Sequence, residues 1–167
     1  MKKYFLACSL ILFITFSITF GAIITVENKH PYAGQYRTLQ EAHDAASAGD
    51  SLYISPSQIK YGGINVTKPI SIIGIGYDVT AISGGAYTLT AIISDMTFNT
   101  GADGALLEGL DGAFRVVINN TANITIRRNK LNSLDITNSF GCTIVQNEII
   151  SNGYYPLSFS ASSNILI

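Results

Sequence analysis

Four tyrosines stand near predicted turns of the chain, where their rings could contact a ligand: Tyr61, Tyr77, Tyr154 and Tyr155. Sugar binding needs flat apolar faces beside hydrogen-bonding groups, and the chain offers many Asn, Ser and Thr side chains around these rings. Tyrosine is also an ordinary packing residue of β-rich proteins. We therefore expect a carbohydrate-binding surface and name these four tyrosines as its candidate ligand-binding residues.

Three acidic residues lie in a glycine-rich segment, residues 101–112: Asp103, Glu108 and Asp111. Carboxylates among glycines can fold around a hard cation such as Ca²⁺, which makes calcium the one cofactor that the residues suggest. Their spacing matches neither an EF-hand nor a nonapeptide calcium repeat, so turns built from Gly and Asp explain the segment better. The sequence therefore assigns no metal site, and it assigns no catalytic residue.

The composition excludes several classes of protein. The 167 residues carry 10 basic and 11 acidic side chains, a net charge of −1, and only 13% of them are charged. A chain without an excess of basic residues has no field to attract nucleic acid, and 47% hydrophobic residues are too many for a disordered chain. We expect a single folded domain and no nucleic-acid partner.

The first residues have the pattern of a secretory signal peptide, which we assign to residues 1–22. A short basic start, Met1 to Lys3, precedes an apolar run without charge that ends at Phe20. A cleavage site needs small residues at the first and third positions before the cut. Gly21 and Thr19 meet this need for cleavage after Gly21, whereas cleavage after Ala22 would place the large Phe20 at the third position. An uncleaved membrane anchor is the alternative, because the run reaches the lower limit of ~17 residues for a spanning helix. We expect cleavage, with no stable membrane span left in the mature chain.

The cysteine count agrees with this expectation. Of the 2 cysteines, Cys8 leaves with the signal peptide and Cys142 stays as a lone thiol that cannot form an internal disulfide. An exported chain of this kind must be stabilised by its core or by repeated strand pairing. We predict a secreted or cell-envelope protein with bacterial-type export.

One helix is indicated in the remaining domain, residues 23–167. Thr38 and Glu41 have the spacing of a capping box, apolar residues follow at helical spacing, and Gly49 supplies a stop, so we predict a helix over about residues 38–48. Short β-rich runs separated by Gly, Asn, Asp and Ser follow it: residues 52–54, 64–66, 70–73, 88–93, 96–98, 116–118 and 124–126. No second helical period appears, so we predict an all-β chain.

The last third of the chain is an internal repeat. Residues 118–126 align with residues 136–144 and again with residues 159–167. Repeats of this length, with short strands and polar turns, suit a parallel solenoid in which each coil stacks on the one before. Alternation then places Ile124, Ile126 and Cys142 inward and Thr125 outward. Asn129 and Asn147 align as well, and we expect their amides to stack in a turn.

These motifs resemble right-handed parallel β-helix proteins of the pectin-lyase-like superfamily. The resemblance rests on residues 36–42, 45–54 and 64–74, and it extends to the last residue. It implies a right-handed parallel β-helix with a short N-terminal helix that caps its open end, followed by coils over about residues 50–167. The segment 56–61 departs from the usual Pro-Gly-x-Tyr of that family, which puts the local turn in question.

The resemblance leaves the activity open, because the superfamily includes lyases, hydrolases, esterases, epimerases, adhesins and phage tail proteins. If the chain is an enzyme, polysaccharide lyase and glycoside hydrolase are the activities implied. Lyases of this kind pair Ca²⁺-binding carboxylates with a basic residue on an outer sheet. The outward charges expected here form no such cluster: Arg115, Arg127, Arg128, Lys130, Asp135 and Glu148.

We expect an exported protein that presents a sheet face to an extracellular polysaccharide. It would bind this polysaccharide or, with coils missing from the C-terminal end, process it. The alternative is a non-catalytic adhesion or envelope-structural repeat protein; a trimeric tailspike-like depolymerase is disfavoured by the signal peptide. Residues 164–167 repeat a strand without a cap after it, which predicts a truncated chain or end-to-end self-association at an uncapped last coil.

Overall fold

The computed structural model describes residues 21–29, 34–77, 89–112, 114–151 and 155–167. Nearly all of the predicted signal peptide lies outside these residues. Within them the chain forms fourteen strands and one helix, in the order β1 (Ile23–Val26), α1 (Leu39–Ala45), β2 (Ser51–Ile54), β3 (Ser57–Tyr61), β4 (Ile64–Val66), β5 (Ser71–Ile73), β6 (Ala91–Ile93), β7 (Met96–Phe98), β8 (Leu106–Glu108), β9 (Phe114–Asn119), β10 (Thr125–Arg127), β11 (Lys130–Thr137), β12 (Thr143–Val145), β13 (Glu148–Ile149) and β14 (Leu157–Ser160). The all-β prediction with one short helix is confirmed.

The strands form three parallel sheets. The first sheet has the order β1-β2-β5-β8-β10-β12, the second has the order β13-β11-β9-β7-β4 with β14 also paired to β11, and the third pairs β3 with β6. From β2 to β7 the chain visits the first, third and second sheets in turn and then repeats this path. From β8 to β13 it alternates between the first and the second. The arrangement is compatible with the predicted β-helix.

The internal repeat has the register that the sequence predicts. Ile118 pairs with Ile136, and Ile136 pairs with Phe159, across the second sheet. In the first sheet Ile126 pairs with Ile144. The turns repeat as well, because left-handed backbone recurs at aligned positions: Asn120, Asn138 and Ala161; Asn123, Gly141 and Asn164; Arg128 and Gln146.

The core lies between the sheets and is filled by alternate residues of each strand. Ile124, Ile126 and Cys142 are fully buried, whereas Thr125 is half-buried on the outer face. This inward and outward alternation is the one predicted. Larger side chains also fill the interior, among them Phe98 and Phe114.

Helix α1 begins as predicted and ends earlier. The Thr38 hydroxyl accepts from the Glu41 backbone N–H, and the Glu41 carboxylate accepts from the Thr38 backbone N–H, so both halves of the capping box form. The predicted end near residue 48 is wrong, because α1 stops at Ala45. The Lys68 ammonium donates to the carbonyl oxygens of His43, Asp44 and Ala46 at 2.8–2.9 Å and so caps this early end of the helix.

Four strands lie outside the β-rich runs and the repeat segments that the sequence predicts: β1, β3, β8 and β13. Helix α1 packs against β1, β2 and β4, and its Leu39 and Ala42 side chains are fully buried there. The outer edge of β1 is covered by the chain after it, because Gln35 and Tyr36 donate to the Thr25 carbonyl. Helix α1 and strand β1 therefore cover one end of the sheets together.

Apolar side chains are exposed in the last strand, β14, and in the residues that follow it. Phe159 is 45% exposed, and Leu166 and Ile167 are 60% and 64% exposed. End-to-end self-association at this face stays a prediction.

A buried amide ladder satisfies the turns that follow β10 and β12. The fully buried Asn129 accepts from the Leu110 N–H with its Oδ1, and its Nδ2 donates to the carbonyls of Leu107 and Arg127 and to Oδ1 of Asn147. Asn147 donates in turn to the Ile126 carbonyl. The predicted stacking of these two amides is confirmed.

Substitution Ile126→Asp tests the register. It places an unpaired charge at a fully buried position, so we expect the free energy of unfolding to fall by several kcal/mol. The neighbouring Thr125→Asp points outward and should be mild. Urea denaturation of both variants measures the difference, and equal stability of the two would contradict the inward placement of Ile126.

Substitution Asn129→Leu tests the amide ladder. A leucine has the same number and branching of side-chain heavy atoms, but it cannot accept from the Leu110 N–H or donate to the carbonyls of Leu107 and Arg127, so we expect a loss of about 2–4 kcal/mol in the free energy of unfolding. The control Asn65→Leu removes an exposed amide and should cost less than about 1 kcal/mol. A loss at Asn129 no larger than at Asn65 would show that the ladder does not stabilise the turns.

Candidate functional site

A row of outward side chains crosses the first sheet. The pairing register places Tyr53 of β2 beside Ile73 of β5, Ile73 beside Glu108 of β8, and Glu108 beside Arg127 of β10. Neighbouring strands of a sheet lie about 4.8 Å apart, so these four side chains stand at regular intervals across the strands. Residues far apart in sequence thus share one surface.

An open groove of about 580 Å³ lies beside this row. Tyr53 and Tyr77 line it together with Glu108 and Arg128, and Ile75 contributes an apolar side chain that is 45% exposed. Tyr53 is 49% exposed, so its ring is accessible from the groove. The groove combines aromatic faces with charged hydrogen-bonding groups.

Two glycines form the floor of the groove. A Cβ added to Gly74 would lie 2.3 Å from the Gly109 carbonyl oxygen, and Gly109 itself has a φ of +76°. The Gly109 carbonyl accepts from the Gly76 N–H at 2.8 Å. The two turns can approach this closely because neither glycine has a side chain, and this contact holds the Tyr77 segment beside Glu108.

Glu108 forms ion pairs with two arginines beside the groove. One of its carboxylate oxygens accepts from Arg127 Nη2 at 2.7 Å and from Arg127 Nε at 2.9 Å, and the other accepts from Arg128 Nη1 at 3.2 Å. Arg128 Nε also donates to Oε1 of Gln146. Two guanidinium groups thus meet one carboxylate, which leaves the cluster with an excess positive charge. The ion pairs are partly exposed, so they orient the side chains more than they stabilise the fold.

The four tyrosines named from the sequence lie in different environments. Tyr77 lines the groove, and Tyr155 is 77% exposed but does not line it. Tyr61 is buried, with its hydroxyl donating to the Ser55 carbonyl at 2.9 Å, so its ring presents no face at the surface. Burial raises the pKa of the Tyr61 hydroxyl. Tyr154 lies outside the described residues.

Sequence reasoning missed Tyr53 as a groove residue. The signal was present, because Tyr53 alternates with the buried Leu52 and Ile54 and must therefore point outward. Its partners in the groove come from strands whose register cannot be read from this short pattern.

The three acidic residues of segment 101–112 are not brought together. Asp103 accepts from the Ala122 N–H, Glu108 pairs with the two arginines, and Asp111 accepts from the Thr90 hydroxyl and the Gly112 N–H. The part of the chain that the structure describes holds no group of three His, Cys, Asp or Glu side chains arranged to bind a metal ion.

The other outward charges form separate pairs on the second sheet. Arg115 Nε donates to Asp135 at 2.7 Å, and Lys130 lies 3.4 Å from Glu148. They do not join the Glu108 cluster, which belongs to the first sheet.

Comparison of the chain with protein-family models, with curated proteins and with solved structures finds no match in any of the three. The one helix among the described residues, α1, is far too short to cross a membrane.

The Cys142 thiol lies inside the core, so its reactivity measures whether the core is folded. It is fully buried, and burial raises its pKa. A thiolate is the reactive form, so we expect Cys142 of the folded chain to resist a disulfide reagent such as Ellman's reagent at pH 8 and to react once urea unfolds it. The Cys8→Ser variant removes the other thiol. Rapid labelling of that variant without denaturant would contradict the buried position.

Proposed function

We propose that the protein is an exported right-handed parallel β-helix of the pectin-lyase-like kind that binds an extracellular polysaccharide in the groove of its first sheet. The observation that supports this proposal is the groove itself, where Tyr53 and Tyr77 stand beside the Glu108 cluster. The parallel sheets and the repeating register support the β-helix, and the apolar N-terminal run supports export.

The groove has the chemistry that a sugar chain requires. Sugar rings have apolar faces that stack on aromatic side chains and hydroxyl groups that need donors and acceptors. Tyr53 and Tyr77 offer the aromatic faces, and Arg128 offers donors at a 61% exposed side chain. Because Glu108 holds both guanidinium groups in place, a ligand meets donors that are already oriented.

A row of side chains across successive strands suits a polymer better than a small molecule. The groove extends from β2 to the turn after β10, so a linear chain running across the strands would contact several of them. The protein would bind this polysaccharide or, if coils beyond residue 167 supply the reacting groups, process it.

A non-catalytic role in adhesion or in envelope structure is the second candidate. It is favoured by the acidic residues of the described surface, because Asp103, Glu108, Asp111 and Asp135 each accept from protein donors. Catalytic acids and bases must instead reach a substrate. New reducing or unsaturated ends released from a polysaccharide would favour the enzyme over this candidate.

Substitution Tyr53→Ala tests the groove, alone and combined with Tyr77→Ala. Each substitution removes an aromatic ring whose stacking on a sugar is worth about 1 kcal/mol. We therefore expect the dissociation constant for the bound polysaccharide to rise about fivefold for one substitution and more for both. Affinity electrophoresis through gels that contain members of a polysaccharide panel measures the change.

The matched control is Tyr155→Ala, which removes an exposed tyrosine outside the groove and should leave binding unchanged. Equal losses for Tyr53→Ala and Tyr155→Ala would contradict the assignment of the groove. If the unaltered protein is not retarded by any member of the panel, polysaccharide binding itself is contradicted.

A further inference from the structure

The signal peptide is assigned to residues 1–22, which places cleavage after Ala22, but the sequence also allows cleavage after Gly21. The two products differ by one residue, and the structure describes both positions. Ala22 is therefore either the first residue of the mature chain or part of what is removed.

Ala22 is held by the turn between α1 and β2. Its backbone N–H donates to Asp50 Oδ1 at 2.7 Å, and its carbonyl accepts from the Ser51 N–H at 2.8 Å. The other Asp50 oxygen accepts from the Ser47 N–H at 2.7 Å. Cleavage after Ala22 would remove both contacts and leave Asp50 with one partner fewer.

The Asp50 carboxylate lacks a cationic partner in the described part of the chain. It belongs to a residue that is only 8% exposed, and none of the ion pairs found there includes it. Amide donors stabilise a carboxylate, but an ammonium at the same position would also supply the opposite charge.

Gly21 lies against the backbone of the same turn. A Cβ added at Gly21 would lie 1.9 Å from the Gly49 carbonyl oxygen, so no side chain fits there while residue 21 remains attached. Residues 21 and 22 are nevertheless exposed to solvent.

We propose that a signal peptidase hydrolyses the Gly21–Ala22 peptide bond and that the new α-ammonium of Ala22 forms an ion pair with Asp50. Water supplies a hydroxyl to the Gly21 carbonyl carbon and a hydrogen to the Ala22 nitrogen, and the acid proton then passes to the amine. A hydrogen bond from a neutral amide becomes an ion pair, in which the donor also carries a charge, at a nearly buried carboxylate. The proposal depends on export, and it is independent of what the groove binds.

The ion pair would couple processing to folding. The same atoms join β1 to the turn before β2 in the precursor and in the mature chain, but only the mature chain places opposite charges there. The precursor is then less stable than the product, which suits a chain that must cross a membrane before it folds.

The first experiment expresses the full chain in an exporting bacterium and measures the intact mass of the exported protein. We expect the mass of a chain that starts at Ala22. The mass of a chain that starts at Ile23, or at any residue before Ala22, would overturn the proposal. In the variant Gly21→Ala the exported product should have the same mass and the same melting temperature, because residue 21 has been removed. A lower melting temperature would mean that residue 21 is retained.

The second experiment compares a chain that begins with a free amine at Ala22 with the same chain acetylated there. The acetyl group occupies the positions of the Gly21 carbonyl and Cα and keeps the N–H, so only the charge is lost. We expect the free-amine chain to melt several degrees higher, and Asp50→Asn to remove this difference. Equal melting temperatures, or a difference that survives Asp50→Asn, would overturn the ion pair.

Discussion

In-register parallel pairing is the constraint on which the rest of the structure depends. A strand in such a sheet satisfies its backbone groups only through neighbours that come from other repeats, so no repeat is stable by itself. Each turn must then lie over the turn of the adjacent repeat. The left-handed positions at Asn120, Asn138 and Ala161 and the amide ladder at Asn129 follow from this requirement, because stacked turns bury backbone groups that need fixed partners.

The same constraint explains which parts of the fold could be predicted. The register of Ile118, Ile136 and Phe159 follows from the similar pattern of the repeats, and alternation gives the buried face directly. The early end of α1 could not be predicted, because Lys68 lies more than twenty residues downstream and reaches back to the helix carbonyls. Strand β8 could not be predicted either, because the glycines on both sides of it indicate a turn.

The groove was only partly accessible to sequence reasoning. Tyr77 was named, but its neighbours depend on the contact between Gly74 and Gly109, which joins two turns far apart in the chain. Glu108 was considered as a calcium ligand because of its flanking residues, whereas its actual partners are two arginines of β10 and the turn after it. Residue types identify candidate chemistry, and the register decides which of those residues meet.

The outward row beside the groove has its residues on separate strands, which limits how this surface can change during evolution. Tyr53 and Arg127 are three strand spacings apart, roughly 14 Å at the usual separation of strands. A duplication or deletion of one repeat between them would lengthen or shorten this distance by a whole strand while leaving the core pattern intact. The length of the proposed binding surface therefore changes only in discrete steps, and point mutations can alter its chemistry but not its length.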